Sequence, residues 1–511
     1  MRFSFRDGIA SAASIFLSLT LVGCSGVNVS PPAPTSGPVQ TSANILTAAD
    51  VNSIVMAAAR SVNVPIVIAV SDRMGNILAV YKKANAPATA IANYGQMYPS
   101  DDVAAALARS AAYFSNDQAP ISTRTIRFIS ASHFPPGVAN TESGPLYGIE
   151  ESNRGCNFHV TYLPGQSLPV LSSLHGGYGL GIVTGKPDAM DSNNLAVNPG
   201  GVPIFKGGQL AGAIGVAGAD MNTDEYAAYA GTFLNGYTLN VPAPGVVVVG
   251  GIALPFVDQT TLPAGESAGT DDGSYEIGPL ASPGPDPEGD LIAETGSTQG
   301  GLTIDDVHTI VQDALATGNL TRAVLRLPEG SRARFVIAVS DLNGNILALY
   351  RMPDATMFSV DVALTKARNV TYFSSPTTTE LSPLPPGTAV TSRTIGFTTQ
   401  PYFPSGINGT SPGPFFQSLF VNDINHPCTQ GQQPANPYQS GVVFFPGSAP
   451  LYKNGKLVGG IGVSGDGVDQ DDFVAAAGAA GYAAPANIRA DNYSIDGVPL
   501  PYQKFPRNPE Q

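Results

Sequence analysis

Residues 66–86 read IVIAVSDRMGNILAVYKKANA, and residues 335–355 read FVIAVSDLNGNILALYRMPDA. The two stretches are nearly the same text, 269 positions apart (335 − 66). A second pair follows in the same order, VPIFKGGQLAGAIGVAG at 202–218 and APLYKNGKLVGGIGVSG at 449–465. Preserved order marks a duplicated domain, so any activity belongs to each copy or to the seam between them. Within each quoted stretch two short apolar runs flank a turn, Asp72-Arg73-Met74-Gly75 and Asp341-Leu342-Asn343-Gly344. Glycine there supplies the positive φ of a hairpin.

Working outward, each copy carries the same elements. An amphipathic helix opens copy one at Leu46-Thr47-Ala48-Ala49-Asp50, with Val51, Ile54, Val55 and Ala58 on one face; copy two opens at Leu302-Thr303-Ile304-Asp305-Asp306. Second helices are expected at 101–114 and 360–373, followed by Thr123-Arg124-Thr125-Ile126 and Ser392-Arg393-Thr394-Ile395. A further hairpin turns at Lys206-Gly207-Gly208 and Lys453-Asn454-Gly455, and acid-capped helices follow near 223–233 and 469–480. The expected organisation is copy one over 45–257, a Gly/Pro/Asp/Glu-rich interdomain linker over 258–300, copy two over 301–505 and a tail at 506–511. Copy one spaces Cys156 from Pro199 by 43 residues, whereas copy two spaces Cys428 from Pro446 by 18. The excess is read as an insertion around 163–190, holding His175 either as a mobile loop residue or on a lid.

The first residues read as an address. Arg2 and Arg6 precede a short apolar run, Ile9 to Val22, which closes on Leu21-Val22-Gly23-Cys24 and is similar to a bacterial lipobox. Residues 1–23 are expected to be a lipoprotein signal peptide, with Cys24 lipidated; an ordinary secretory peptide is the alternative. Ser25, where a retained lipoprotein often carries Asp, points to the outer membrane of a bacterial cell envelope. Residues 24–44 form a polar tether. A net charge of −14, with 25 Lys and Arg that form no cluster, excludes a nucleic-acid partner. Membrane contact is expected through the lipid alone.

Cys156 and Cys428 lie 272 residues apart, close to the repeat spacing, and are therefore equivalent positions. Outside the cytoplasm such a pair is read as a disulfide between the copies, which requires Cα atoms within about 7 Å. His159 and His426 lie nearby, so a tetrahedral Cys2His2 metal site is the alternative. The unequal spacing and the lack of a C-x-x-C favour the disulfide. No C-x-x-C-H is present, which excludes covalent c-type haem.

The order helix, V-S-D-x-x-G-N-I-L-A, helix, and a final hairpin ending I-G-V-A/S-G resembles the GlcG/HbpS family. The resemblance implies an α+β fold of two tandem profilin-like repeats, each an antiparallel sheet flanked by helices. It also implies a pseudo-dimer within one chain, with higher homo-oligomers open, and noncovalent binding of haem or a related tetrapyrrole for scavenging, storage or sensing. Segments 128–200 and 398–446 are longer than the family's loop, so ligand chemistry does not carry across them. Haem needs an apolar slot and an axial side chain. His133 and Tyr402 occupy equivalent positions and are both iron-ligand types; the ordinary alternative is a loop residue packed on the Phe-Pro that follows. Arg124 and Arg393 recur in one frame and are candidates to hold a propionate, or else structural arginines. His308 is read as a surface residue. The I-G-V-x-G strands lack the context of a nucleotide loop, so their glycines are read as permitting close packing or approach of a flat ligand. No nucleophile–base pair stands out. A cofactor-dependent redox enzyme and a cell-surface assembly module remain the rival functions.

Overall fold

The computed structural model describes residues 44–156, 173–191, 198–237 and 247–510. It is a mixed α+β structure whose two halves repeat one plan. In copy one, α1 (Ala48–Ser61) leads into the hairpin β1 (Val67–Asp72) and β2 (Ile77–Lys82). After the small hairpin β3 (Thr89–Ile91) and β4 (Met97–Pro99) come α2 (Ser100–Phe114) and α3 (Thr123–Ser130). The hairpin β5 (Gly201–Lys206) and β6 (Gln209–Ala217) and helix α4 (Met221–Thr232) complete the plan, and a short hairpin, β7 (Val248–Val249) and β8 (Ile252–Ala253), follows.

Between the copies lie β9 (Ser274–Ile277) and β10 (Gly289–Ile292). Copy two then runs α5 (Ile304–Leu320), β11 (Phe335–Ser340), β12 (Ile346–Arg351), α6 (Phe358–Phe373), α7 (Ser392–Thr398) and a four-residue α8 (Asn422–Asn425). It ends with β13 (Ser448–Lys453), β14 (Lys456–Gly465), α9 (Val468–Gly478), and the short pair β15 (Ser494–Ile495) and β16 (Val498–Pro499). Among the described residues no helix is long and apolar enough to cross a membrane.

The repeated D-x-x-G-N motif has a local cause. Asp72 accepts the Asn76 amide at 2.9 Å, and Asp341 accepts the Asn345 amide at 3.0 Å, so each carboxylate closes its own turn. The opening helices are alike too: Thr47 with Asp50, and Thr303 with Asp306, form reciprocal capping boxes.

Each half contains a five-stranded antiparallel sheet, ordered β5-β6-β1-β2-β9 and β10-β12-β11-β14-β13. Helices cover both faces. Along β1, Ile68 and Val70 join the cluster under α1 and α4, while Val67 and Ala69 join the one under α2. Burial on both faces is why these strands read as unbroken apolar runs. The I-G-V-x-G glycines allow the close approach. A Cβ on Gly215 would collide with the backbone of Ala104 and Ala108 in α2, and one on Gly462 with Ala363 and Ala367 in α6.

Residues 258–300 do more than link. Their β9 pairs with β2 and their β10 with β12, so the connector supplies an edge strand to each sheet.

The copies meet about a pseudo-twofold axis. Phe114 of α2 stacks on Phe358 of α6 with ring centroids 4.3 Å apart, inside a core cluster containing residues of both halves. Asn140 and Asn408 exchange backbone-to-side-chain bonds at 2.6 and 3.0 Å. A buried chain of charges also crosses the seam. Arg73 binds Asp354 at 2.5 Å and Asp286 at 3.3 Å; Asp354 also binds Arg326, and Arg351 binds Asp286 at 2.6 Å. Burial opposes ionisation of Asp354, yet Arg326 and Arg73 hold its carboxyl down at about 2. Asp354→Ala leaves two buried guanidinium groups without their shared anion. The expected loss is about 3–5 kcal/mol in urea unfolding, whereas Asp271→Ala, at an exposed pair with Arg60, leaves the midpoint unchanged.

Candidate functional site

A cleft of about 1000 Å³ opens along the seam. One wall is the end of α3 with the loop that follows it, contributing Ile129, Phe134, Leu146 and Tyr147; the other is copy two, with Phe397, Phe444, Phe445, Pro446 and Leu500. The loop is folded back on its helix by Gly144 donating to Ala131 at 2.8 Å and Leu146 to Ile129 at 3.1 Å. Copy two repeats both bonds, Gly413 to Gln400 and Phe415 to Thr398, so the equivalence at 269 residues holds through the loop.

Several charges at the cleft are paired with one another. Arg393 binds Asp472 and Asp469 at 2.6 Å each, and Lys504 binds Asp469 at 3.1 Å. Lys366 holds one oxygen of Asp471 at 3.0 Å. Three lining side chains nevertheless keep a buried polar atom with no hydrogen-bond partner among the described residues: Tyr147 Oη, Gln400 Oε1 and Asp471 Oδ1. These residues are 1%, 8% and 3% exposed, so bulk water does not serve them. Each such atom costs stability unless something else satisfies it. Burial, then Glu150 and Glu151, push the Tyr147 phenol well above its ordinary range. The Lys186 ammonium lies 4.4 Å from the centroid of its ring. Burial pushes Asp471 up to about 7 against the pull of Lys366, and pushes Lys366 down.

The family model described as "Haem degrading protein HbpS-like" matches residues 44–232 and 302–480. The chain belongs to the HbpS-like family. No curated protein matches it. Among solved structures, "Crystal Structure of PduOC:Heme Complex" is 22% identical over 35% of this chain and 94% of that one, with a TM-score of 0.23. Klebsiella pneumoniae protein ORFY is 18% identical over 37% and 95%, with a TM-score of 0.24. Streptomyces reticuli HbpS, as a double mutant, is 22% identical over 39% and 97%, with a TM-score of 0.22.

Several expected site residues of this HbpS-like chain are brought together, but not all around the cleft. His133 and Tyr402 stack on each other, ring centroids 5.2 Å apart and 14° from parallel. His133 Nδ1 donates to the Thr141 carbonyl at 2.7 Å, and its buried Nε2 has no partner among the described residues. Arg124 is held by Glu225 at 2.6 Å and Asp258 at 2.8 Å; of the two arginines, Arg393 is the one on the cleft wall.

Cys156 and Cys428 form a disulfide with Cα atoms 5.3 Å apart. That corrects the Cys2His2 alternative, because the two sulfurs are no longer thiolates able to ligate metal. His426 is exposed and donates to the Asn422 carbonyl at 3.1 Å. His159 and Cys24 lie outside the described residues. His175 places Nε2 3.0 Å from both oxygens of Asp101, beside Asp102, while Lys82 also binds Asp101 at 3.1 Å. His308 is exposed and binds Glu294 at 2.8 Å.

The sequence does not single out Tyr147 or Gln400, and Asp471 reads there only as one of the acids at a helix start. The signal was available where the aligned copies differ: Tyr147 faces Phe416 in the alignment, and Gln400 faces Ala131.

The buried acid gives the cleft a pH signature. A carboxyl whose folded pKa lies above the unfolded value of about 3.9 is least costly below that value, and its stabilising protonation is lost as pH rises through the folded pKa. For Asp471 the window is pH 4 to 7. Urea midpoints of the native protein should fall across that window. They should fall less in Asp471→Asn, with the remainder carried by Asp224, Asp361 and Asp423, which burial also raises.

Proposed function

We propose that this protein binds haem or a related tetrapyrrole noncovalently in the seam cleft, as a lipoprotein carried by Cys24 on the bacterial envelope. The role is scavenging, storage or sensing. One observation carries the reading: in an HbpS-like chain, three residues lining an apolar cleft between the copies each keep a buried polar atom that no described residue satisfies. The size and the aromatic walls suit a flat, largely apolar ligand.

The residues present fit such a group. Tyr147 is a side chain of a type that ligates haem iron; the residue lines the cleft, and its hydroxyl is buried beside Glu150 and Glu151 with no hydrogen-bond partner among the described residues. His133, next to the wall residue Phe134 and with an Nε2 unpartnered among the described residues, is the second candidate. Arg393 lies on the wall, where a ligand carboxylate would compete with Asp469 for its guanidinium. The raised phenol pKa of Tyr147 means that ligation by its oxygen releases a proton.

Hemin added to the purified protein should give a shifted, saturable Soret band. Affinity should rise with pH in the native protein, and this rise should vanish in Tyr147→Phe along with about tenfold or more of the affinity. Saturable binding lost in His133→Ala but kept in Tyr147→Phe would move the ligand to His133. Absence of saturable binding removes the proposal.

A further inference from the structure

We infer that the duplicated chain holds one ligand site, in the cleft walled by Tyr147, Gln400 and Asp471, and that its pseudo-symmetric counterpart has been filled. The inference rests on the binding role proposed above and adds its stoichiometry and the residues that make the two halves unequal.

The counterpart can be located residue by residue. Offsets of 269 and 247 carry Tyr147 to Phe416, Gln400 to Ala131 and Asp471 to Asp224. The first two do not repeat the chemistry, and the third keeps the carboxyl but changes its partners. Phe416 has no hydroxyl and Ala131 no amide. Asp224 is already satisfied where Asp471 is not, since its Oδ1 accepts the Ala219 amide at 3.1 Å. Gly396, where a Cβ would run into the Phe444 carbonyl, is matched by Arg127. A guanidinium therefore stands where copy two leaves room for a wall.

The wall itself is replaced. Val443 and Val183 are equivalent, their amides donating to Asn369 and Ser110 of the paired helices at 2.9 Å each. Gly447 and Gly200 are also equivalent, accepting the Val463 amide at 2.8 Å and the Val216 amide at 3.0 Å. Copy two crosses from one landmark to the other in four residues, with Phe444, Phe445 and Pro446 facing the cleft; copy one takes seventeen.

The described part of that longer path lies over the counterpart. Asp191 accepts the Ser132 amide and interacts electrostatically with Arg127 and Lys186. Ala189 and Met190 pack against a cluster that includes Phe403, Phe415 and Phe416 together with Tyr147, Phe444 and Leu500. Phe403, Phe415 and Phe416 match Phe134, Leu146 and Tyr147, the walls of the open cleft. Asp191 of the insertion thus stands against Ser132 and Arg127, the counterparts of Pro401 and Gly396, while Lys186 of the same segment reaches the ring of Tyr147.

The test is a count on the full-length protein. Hemin, followed by its Soret band, and 1-anilinonaphthalene-8-sulfonate, followed by fluorescence, are titrated separately into known concentrations of protein. One equivalent of hemin is expected, weakened about tenfold in Gln400→Leu or Tyr147→Phe and unchanged in Arg127→Ala, with circular dichroism verifying the fold of each variant. Two equivalents of either probe would overturn the inference, as would loss of hemin in Arg127→Ala with retention in both other variants. One equivalent of dye with no hemin response leaves the single site standing and removes the tetrapyrrole reading. No response to either probe removes both.

Discussion

The two halves are locked by buried charge. Arg73 of copy one reaches across to Asp354 and Asp286, and those acids are shared with Arg326 and Arg351 of copy two. A buried ion pair contributes little net stability compared with a good apolar contact, because both partners lose water. Its value lies in geometry: a displaced seam would strand several charges away from both solvent and partners. That intolerance, with the Phe114–Phe358 stack and the Cys156–Cys428 bond, fixes how the two sheets face each other. The cleft is a by-product of that fixed relation, since its walls come from different copies.

Much of the fold was readable because it is written twice. A helix, a D-x-x-G-N turn or a glycine-bearing strand that recurs at one offset is hard to mistake, and even the disulfide followed from two cysteines whose separation is close to the repeat offset. The two strands of the connector were not legible, for the opposite reason. Its strands are four residues each, set among Gly, Pro and Asp, and nothing within them shows that β2 and β12 wait with open edges. Strand formation there is decided by partners far away in the chain.

The site was harder to read, again for a physical reason. His133 and Tyr402 drew attention as iron-ligand types at matched positions, but matched positions near a twofold axis tend to meet each other, and these two stack. The atoms that define the cleft sit where the copies diverge: Tyr147 against Phe416, Gln400 against Ala131. After duplication, shared residues mostly preserve the scaffold, while differences between the halves mark where one of them has taken on separate work. Burial and unpartnered oxygens, which no one-dimensional pattern displays, were needed to single those differences out.

The connector has a consequence for any attempt to take the molecule apart. One strand of 258–300 finishes the sheet of the first half, and the next finishes the sheet of the second, a few residues later. A cut on either side of this segment strips one half of its border strand, baring a row of unpaired amides and carbonyls that invites sheet-to-sheet adhesion. Only a break within the eleven residues from 278 to 288 would leave both borders in place. The gene's two halves are therefore less modular than their twin sequences suggest.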